Sequence, residues 1–344
     1  MIRRALAALA ASLLALSAAA AEPAEDAAAT PSWIAPLAPK SLLLDLARAG
    51  SRVFAVGERG HVLFSDDEGR SWTQVQVPIS ANLTAVFFLD DRFGWAVGHD
   101  EAIIRTRDGG MTWERTHFEP GAKQPLLDVW FADADRGLAV GAYGVIYATA
   151  DGGATWERVP FEPVELASPA PAPGDDEDLG FEDETDVGID FHLNAVVSAP
   201  DGSLYLAAEA GRLYRSGDQG ATWTELASPY DGSFYGILPL DGDTLLAFGL
   251  RGNVFRSEDA GQTWTGVETG TTALLHAAAR PAPETVVIAG LTGVLLVSSD
   301  AGRTFTFTQQ DDRKGFAAVL PATDGELIVA GERGVKRLPL LPPR

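Results

Sequence analysis

The sequence predicts an all-β protein, a seven-bladed β-propeller of four-stranded antiparallel blades whose ring is closed by the N-terminal segment. Three observations lead there. An Asp-centred phrase recurs six times, as SDDEGRSW (65–72), TRDGGMTW (106–113), TADGGATW (149–156), SGDQGATW (216–223), SEDAGQTW (257–264) and SSDAGRTF (298–305). A glycine phrase recurs seven times, starting at residues 57, 98, 141, 208, 249, 290 and 331, with steps of 41, 43, 67, 41, 41 and 41. A period near 41 is the mark of a repeat architecture in which each unit buries its apolar face against its neighbours. Finally, 36 Gly and 21 Pro in 344 residues, with 46% hydrophobic residues, fit many short strands joined by tight turns.

Each period divides into four short segments. In the second these are LTAVFFL (83–89), WAV (95–97), AIIRT (102–106) and TWERT (112–116), separated by turns at 90–92, 98–101 and the Asp phrase. The first is nearly all apolar, as expected of an innermost strand packed on both faces, and the fourth alternates, as expected of an outer strand with one wet face. The Asp phrase falls between strands three and four. Asp67, Asp108, Asp151, Asp218, Asp259 and Asp300 are placed to accept backbone N–H groups two or so residues on, and the following glycines to take positive φ. Trp72, Trp113, Trp156, Trp223 and Trp264, with Phe305 as the sixth, are expected to wedge between blades, each burying on the order of 200 Å². Six like residues spread around a ring do not converge on one point, so the phrase is structural and not catalytic.

Seven glycine phrases against six Asp phrases leave the last blade one strand short, and SWIAPLAPK (32–40) is the candidate for the missing strand. The propeller then runs from 32 to 338, followed by a tail at 339–344. Residues 1–21 carry Arg3 and Arg4, an apolar run from Ala5 to Leu16 and small residues up to Ala21, the pattern of a cleaved secretory signal peptide, with a flexible mature N-terminus at 22–31. No cysteine follows the cut to carry a lipid anchor.

Zero cysteines exclude disulfides, thiolate chemistry and cysteine-ligated zinc. The formal charge of −22, or −24 once Arg3 and Arg4 are removed, argues against nucleic acid as a partner and disfavours anionic lipid. The step of 67 contains an insert at 162–190 between blades three and four, Ala/Pro-rich and then acidic without Lys or Arg, expected to be disordered and solvated. Partner docking and a weak Ca²⁺ site are its sharper readings, though the regular EF-hand spacing is missing. The five histidines are scattered, and no metal site, P-loop, dinucleotide fingerprint or other cofactor motif is present.

The turns between strands two and three lie on the face opposite the Asp phrases, and unlike them they vary. They present Glu58, Arg59, His99, Asp100, Glu101, Tyr143, Glu209, Arg251, Glu332 and Arg333, the candidate partner-binding residues. Asp45, Asp128, Asn194, Tyr235 and His276 come near the axis from the first strands. Either the acids and arginines of this mouth pair with one another, or Arg59, Arg251 and Arg333 are free to clamp a carboxylate. Arginines, Tyr143, Tyr235, Glu209 and Asp100 are also the residue types of a sialidase site, so a glycoside hydrolase is the alternative. The F/Y-R-I-P phrase that opens sialidases is absent, and no catalytic residue is expected.

The stretches AVGHDEAIIRTRDGGMTWER (96–115) and AVGAYGVIYATADGGATWER (139–158) share the pattern V-G-x-x-G-x-I-x-x-T-x-D-G-G-x-T-W-E in whole or near whole. In this the chain resembles the photosystem II stability/assembly factor family, BNR (Asp-box) repeat propellers, over roughly residues 41–338. The resemblance implies a non-enzymatic, seven-bladed, exported, periplasmic or secreted scaffold that binds a membrane or envelope protein. Bacterial members associated with resistance–nodulation–division type exporters make such a transporter a candidate client, with the propeller itself a monomer. The acidic insert and the missing lipid-anchor cysteine set this chain apart from the photosynthetic members.

Overall fold

The computed structural model describes residues 30–165 and 190–340. They form seven antiparallel sheets in chain order, six of four strands and one of three. In blade two the strands are Leu83–Phe88, Gly94–Gly98, Ile103–Thr106 and Glu114–His117. The other innermost strands are Leu43–Ala49, Leu126–Phe131, Leu193–Ser198, Phe234–Pro239, Leu275–Ala282 and Phe316–Pro321. The signal-peptide expectation (1–21) and residues 166–189 of the acidic insert lie outside the described residues. None of the described helices is long and apolar enough to cross a membrane.

One expectation about the strands is corrected. The second strand of each blade is more deeply buried than the first: Gly94–Gly98 and Leu245–Gly249 are buried at every position, whereas Leu83–Phe88 and Phe234–Pro239 are half-buried in places. The first strand lines the axis and keeps one edge on the central channel. The second has a strand on either side and a blade above and below.

The Asp phrase ties these layers together. Asp259 Oδ1 accepts the Thr263 N–H at 2.8 Å and the Ser257 hydroxyl at 2.8 Å, and Oδ2 accepts the Thr263 hydroxyl at 2.6 Å. The bonds reach three and four residues forward, for example from Met111 N–H and Thr112 N–H to Asp108, and not two. The Ser or Thr that opens each phrase is a further member: Thr106 Oγ1 donates to Asp108 and accepts the Gly110 N–H at 2.9 Å. Gly110 has φ +76° and lies so close to blade one that a Cβ there would fall 2.2 Å from the Phe54 ring. Trp113 then meets Phe54 edge-on at 6.4 Å. Local turn chemistry thus sets the approach of one blade to the next, and each apolar core lies at a junction between blades: Phe54, Phe88 and Trp113 between one and two, Val129, Tyr147 and Trp95 between two and three, Leu246, Phe248 and Leu296 between five and six.

The seam between blades seven and one differs from the expectation. Residues 32–40 cross it, but not as a fourth strand. Ser32 N–H donates to Val77 O at 2.8 Å and Ala35 N–H to Gln74 Oε1 at 2.7 Å, which straps the segment to the outer edge of blade one. Ala38–Lys40 then turns as a 3-10 helix against Gly334, where a Cβ would sit 1.9 Å from the Pro39 carbonyl oxygen. Pro36 and Pro39 remove two of its N–H donors, so the segment cannot build a regular ladder. A charge network completes the closure: Arg48 binds Glu68 at 2.8 Å and the Pro321 carbonyl at 2.9 Å, and Arg70 binds Asp324 at 2.6 Å.

The opening residues of the insert are also ordered against the ring. Val164 N–H donates to Trp223 O at 2.8 Å and Val164 O accepts Glu225 N–H at 3.0 Å, a parallel bridge onto the outer edge of blade four. The outer strand there, Thr224–Glu225, is only two residues long, and its open edge takes the nearest chain.

Hydrogen bonds from the Thr263 hydroxyl and amide, and from the Ser257 hydroxyl, hold the Asp259 carboxyl down at about 2. A carboxyl lowered in the folded state adds stability that is complete above its ordinary value near 4 and is lost as pH falls toward 2. Asp259→Ala should therefore melt below the wild type at pH 7. The gap should narrow steadily between pH 4 and pH 2, as followed by circular dichroism; a constant gap would detach the carboxylate from the effect.

Candidate functional site

The face opposite the Asp phrases is built from six turns of one kind. In blade one, His61 N–H closes on Glu58 O at 3.0 Å, and the two central residues, Arg59 (φ +57°) and Gly60 (φ +68°), are left-handed. Gly60 is required there, since a Cβ would meet the Ile79 carbonyl oxygen at 2.3 Å. The residue before it carries a side chain in spite of its φ: Arg59, Asp100, Tyr143, Ala210, Arg251 and Thr292 all have φ between +54° and +59°. Left-handed backbone costs a non-glycine residue roughly 1–2 kcal/mol. In return each of these side chains projects from the rim of the ring, and the six together form the variable part of the face.

The acids and arginines of this face do not pair with one another. Glu58 Oε1 accepts Leu42 N–H at 3.4 Å, Glu209 Oε2 accepts His192 N–H at 3.0 Å, and Glu332 Oε1 accepts Gly315 N–H at 3.0 Å. Each thus ties its turn to the entry of the innermost strand of the same blade. Glu332 also takes Lys314 Nζ at 3.3 Å, and Glu209 lies 3.5 Å from His192 Nδ1. Arg59, Arg251 and Arg333 are exposed, and among the described residues none of them forms an ion pair. They occupy blades one, five and seven, so the cationic arc runs through the seam, with the half-exposed Leu291 of blade six inside it.

The opposite arc is aromatic and acidic. Tyr143 is 47% exposed and stands edge-on to His192 with ring centres 5.0 Å apart. His99 is exposed and Asp100 half-buried. Glu101 is not on the face at all. It replaces the second glycine of its turn, is 3% exposed, and accepts the Tyr147 hydroxyl at 2.6 Å with His117 Nε2 3.7 Å away. Burial, then that bond to Glu101, pushes the Tyr147 phenol far up. The phrase alignment places Glu101 in the exposed turn, but it holds the second left-handed position, where a Cβ on Gly60 of blade one would point into the next blade, so its side chain folds inward between blades two and three.

Below the face, the residues near the axis clasp neighbouring blades. Asp45 Oδ2 accepts Val86 N–H, Thr84 Oγ1 donates to Leu126 O, Asp128 Oδ2 accepts Val196 N–H, Asn194 Nδ2 donates to Phe234 O, and His276 Nδ1 lies 2.9 Å from Ala317 O. Each partner lies on the innermost strand of the next blade. Thr84, the one member not anticipated from the sequence, sits at the bulge that each innermost strand carries near its start. Tyr235 and His276 rings are 5.8 Å apart. Burial drives the carboxyls of both Asp45 and Asp128 up to about 7 against the N–H groups they accept, and the Asp128 charge adds to the rise at Asp45. Among the described residues no three His, Asp or Glu side chains gather at a metal-sized site.

With the geometry in place, comparison with known proteins gives a family. A family model described as photosynthesis system II assembly factor YCF48 matches residues 67–170 and 117–280. Photosystem II assembly protein Ycf48 of Thermosynechococcus vestitus is 42% identical over 43 residues, 12% of this chain and 12% of the relative. The chloroplastic photosystem II stability/assembly factor HCF136 of Cyanidioschyzon merolae is 34% identical over 94 residues, 27% of this chain and 20% of the relative. These alignments therefore span a fifth or less of the relatives' length. Among solved structures, YCF48 bound to D1 peptide superposes with a TM-score of 0.64 at 17% identity, covering 88% of this chain and 94% of that one. Streptogramin B lyase does so with a TM-score of 0.68 at 13% identity, covering 87% and 94%. At such identities the two structures share the fold alone.

The channel carboxyls generate a pH prediction. A carboxyl raised in the folded state contributes stability that is complete below its ordinary value near 4 and is lost as pH rises to about 7. Asp45→Asn and Asp128→Asn keep an oxygen to accept the same N–H, so each should be more stable than the wild type at pH 8, by as much as about 4 kcal/mol. At pH 4 the difference should vanish. Denaturant melts at the two pH values check it, and an equal shift at both would rule out the charge as cause.

Proposed function

The chain belongs to the photosynthesis system II assembly factor YCF48 family, and on that premise we propose that it is an exported, non-enzymatic propeller that holds a segment of a membrane or envelope protein on the face opposite the Asp phrases. One observation carries this reading: Arg59, Arg251 and Arg333 gather on one face, exposed and, among the described residues, without ion pairs, while on the other side Arg48, Arg52, Arg105, Arg256, Arg280 and Arg337 are ion-paired and only Arg92 and Arg107 of the described arginines there are exposed without one. In a chain of net charge −22, cations kept apart from carboxylates are available to a ligand. A guanidinium grips a carboxylate through two parallel N–H···O bonds, so the bound segment presents acidic side chains or a C-terminus to this arc. Tyr143 and Leu291 offer exposed apolar surface on the same face. That a relative has been solved with the D1 peptide supports a peptide as the kind of ligand. Export rests on the leader pattern at 1–21, and the acidic balance keeps a periplasmic or secreted monomer soluble. A transporter of the resistance–nodulation–division type is the client we favour outside photosynthesis.

A glycoside hydrolase of sialidase type is the second reading, since Tyr235 lies near enough to Glu209 to be affected by its charge. Burial, then that charge, pushes the phenol up from its ordinary value, which makes it a poorer nucleophile. We expect no turnover of a fluorogenic sialoside; turnover that disappears in Tyr143→Phe or Tyr235→Phe would decide for the hydrolase.

Arg59→Glu, Arg251→Glu and Arg333→Glu together should abolish capture of membrane-protein partners in cross-linking from solubilised envelopes. The melting temperature should stay within a few degrees of the wild type, because exposed unpaired charges contribute little to stability. Undiminished capture would remove this face from consideration.

A further inference from the structure

The side of the ring that carries the Asp phrases holds a second candidate site, visible through the repeat. At several junctions an arginine reaches from one blade to the carbonyl of the residue after the Asp in the next. Arg105 Nη1 donates to Gly152 O at 3.0 Å, Arg256 Nε to Ala301 O at 3.2 Å, and Arg337 Nη1 to Glu68 O. These three arginines hold one structural position, opposite Trp95, Leu246 and Ile328 of their second strands. Arg52 does the same between blades one and two from a neighbouring position, reaching Gly109 O at 3.1 Å. Blade four's Arg215 instead bonds within its own blade to Asp201 and Ser203, and blade seven has no Asp phrase to receive blade six.

Between blades three and four the position is Ala148, paired across the strands with Leu138 on one side and Glu157 on the other. In blade two the same two neighbours are Trp95 and Glu114, and Glu114 is the carboxylate that pairs with Arg105. Glu157 is exposed and, among the described residues, has no ion pair. The Gln219 carbonyl, equivalent to that of Gly152, receives no donor from the described side chains. Where the arginine would lie there is a cleft of about 680 Å³, walled by Trp130, Leu138, Val159, Val164 and Trp223. Glu162 stands at its wall, and Arg136, the one cation among the described lining residues, is held at 2.7 Å by Asp133. The adjoining stretch 166–189 contains no Lys or Arg with which to fill it.

We propose that this cleft binds an arginine side chain carried on an extended segment of a partner protein. Its aliphatic stem lies between Leu138 and Trp223, while its guanidinium donates to Gln219 O and pairs with Glu157. The molecule supplies the precedent itself, since it fills the equivalent slots with its own arginines bonded to the same carbonyl. Arginine suits the slot better than lysine because the slot offers acceptors in two directions, one carbonyl and one carboxylate, which a planar fork meets together.

The test is calorimetric titration of the full chain with a capped Ala-Ala-Arg-Ala-Ala peptide. Saturable binding with one site is expected. It should be lost in Ala148→Arg, which supplies the missing clasp internally and should also raise the melting temperature. It should weaken by at least about tenfold in Glu157→Gln, a surface change that keeps the fold testable if Ala148→Arg does not express. The Arg59, Arg251 and Arg333 triple variant should bind this peptide unchanged, which separates the cleft from the opposite face. No saturable binding at millimolar peptide would overturn the proposal. So would equal affinity for the norleucine analogue, which would make the cleft a plain apolar groove, or wild-type affinity in Ala148→Arg.

Discussion

The fold depends on a turn in which one aspartate is saturated. In each Asp phrase the carboxylate accepts backbone N–H groups and hydroxyls from both ends of the same reversal, as Asp108 does from Thr106, Met111 and Thr112. The turn therefore carries its own hydrogen-bond partners and needs none from the core. Free of that demand, its glycine can press against the preceding blade and its tryptophan can enter the junction. The cohesion of the ring is the sum of such junctions, because the apolar clusters lie between blades and not inside them. A blade alone would expose both faces of its second strand, which in the ring is buried almost throughout.

That economy explains which parts of the structure were legible in the sequence. Turn chemistry is local and leaves the same residues at the same spacing, so blade number and the separation of the two faces follow from the phrases alone. What the sequence hid depends on contacts between distant residues. The mouth glutamates look like partners for the arginines beside them, yet Glu58, Glu209 and Glu332 bind backbone N–H groups 16 or 17 positions away. Glu101 looks like one more exposed acid until Tyr147, 46 positions on, is seen to hold it inside. Residues 32–40 have the right place in the ring for a strand, and their prolines were the available sign that they would strap the edge instead of extending the sheet.

Repetition also makes each departure informative, since a blade can be judged against its neighbours. Arg59 and Arg105 are the same residue type in the same molecule, but one projects from a left-handed turn into solvent and the other is drawn through a junction to a fixed carbonyl and carboxylate. The difference lies in what surrounds them. Ala148 is the converse case: the surroundings of Arg105 recur around it in carbonyl, facing carboxylate and apolar walls, and only the side chain differs.

The two kinds of departure lie on opposite sides of the ring and have opposite charge. The turns of the outer face offer guanidiniums to a ligand, while the cleft between blades three and four offers a carbonyl and carboxylates. A single extended partner with an acidic end and an arginine further along could therefore engage both only by passing around the rim past blades three and four. The acidic insert leaves the ring at that point, from Glu165. The exposed Glu157 and the Glu162 at the cleft wall repel the acidic end of such a segment and attract its arginine, whereas the exposed guanidiniums of the other face do the reverse, so the two charge patterns together favour one orientation of the segment over the other.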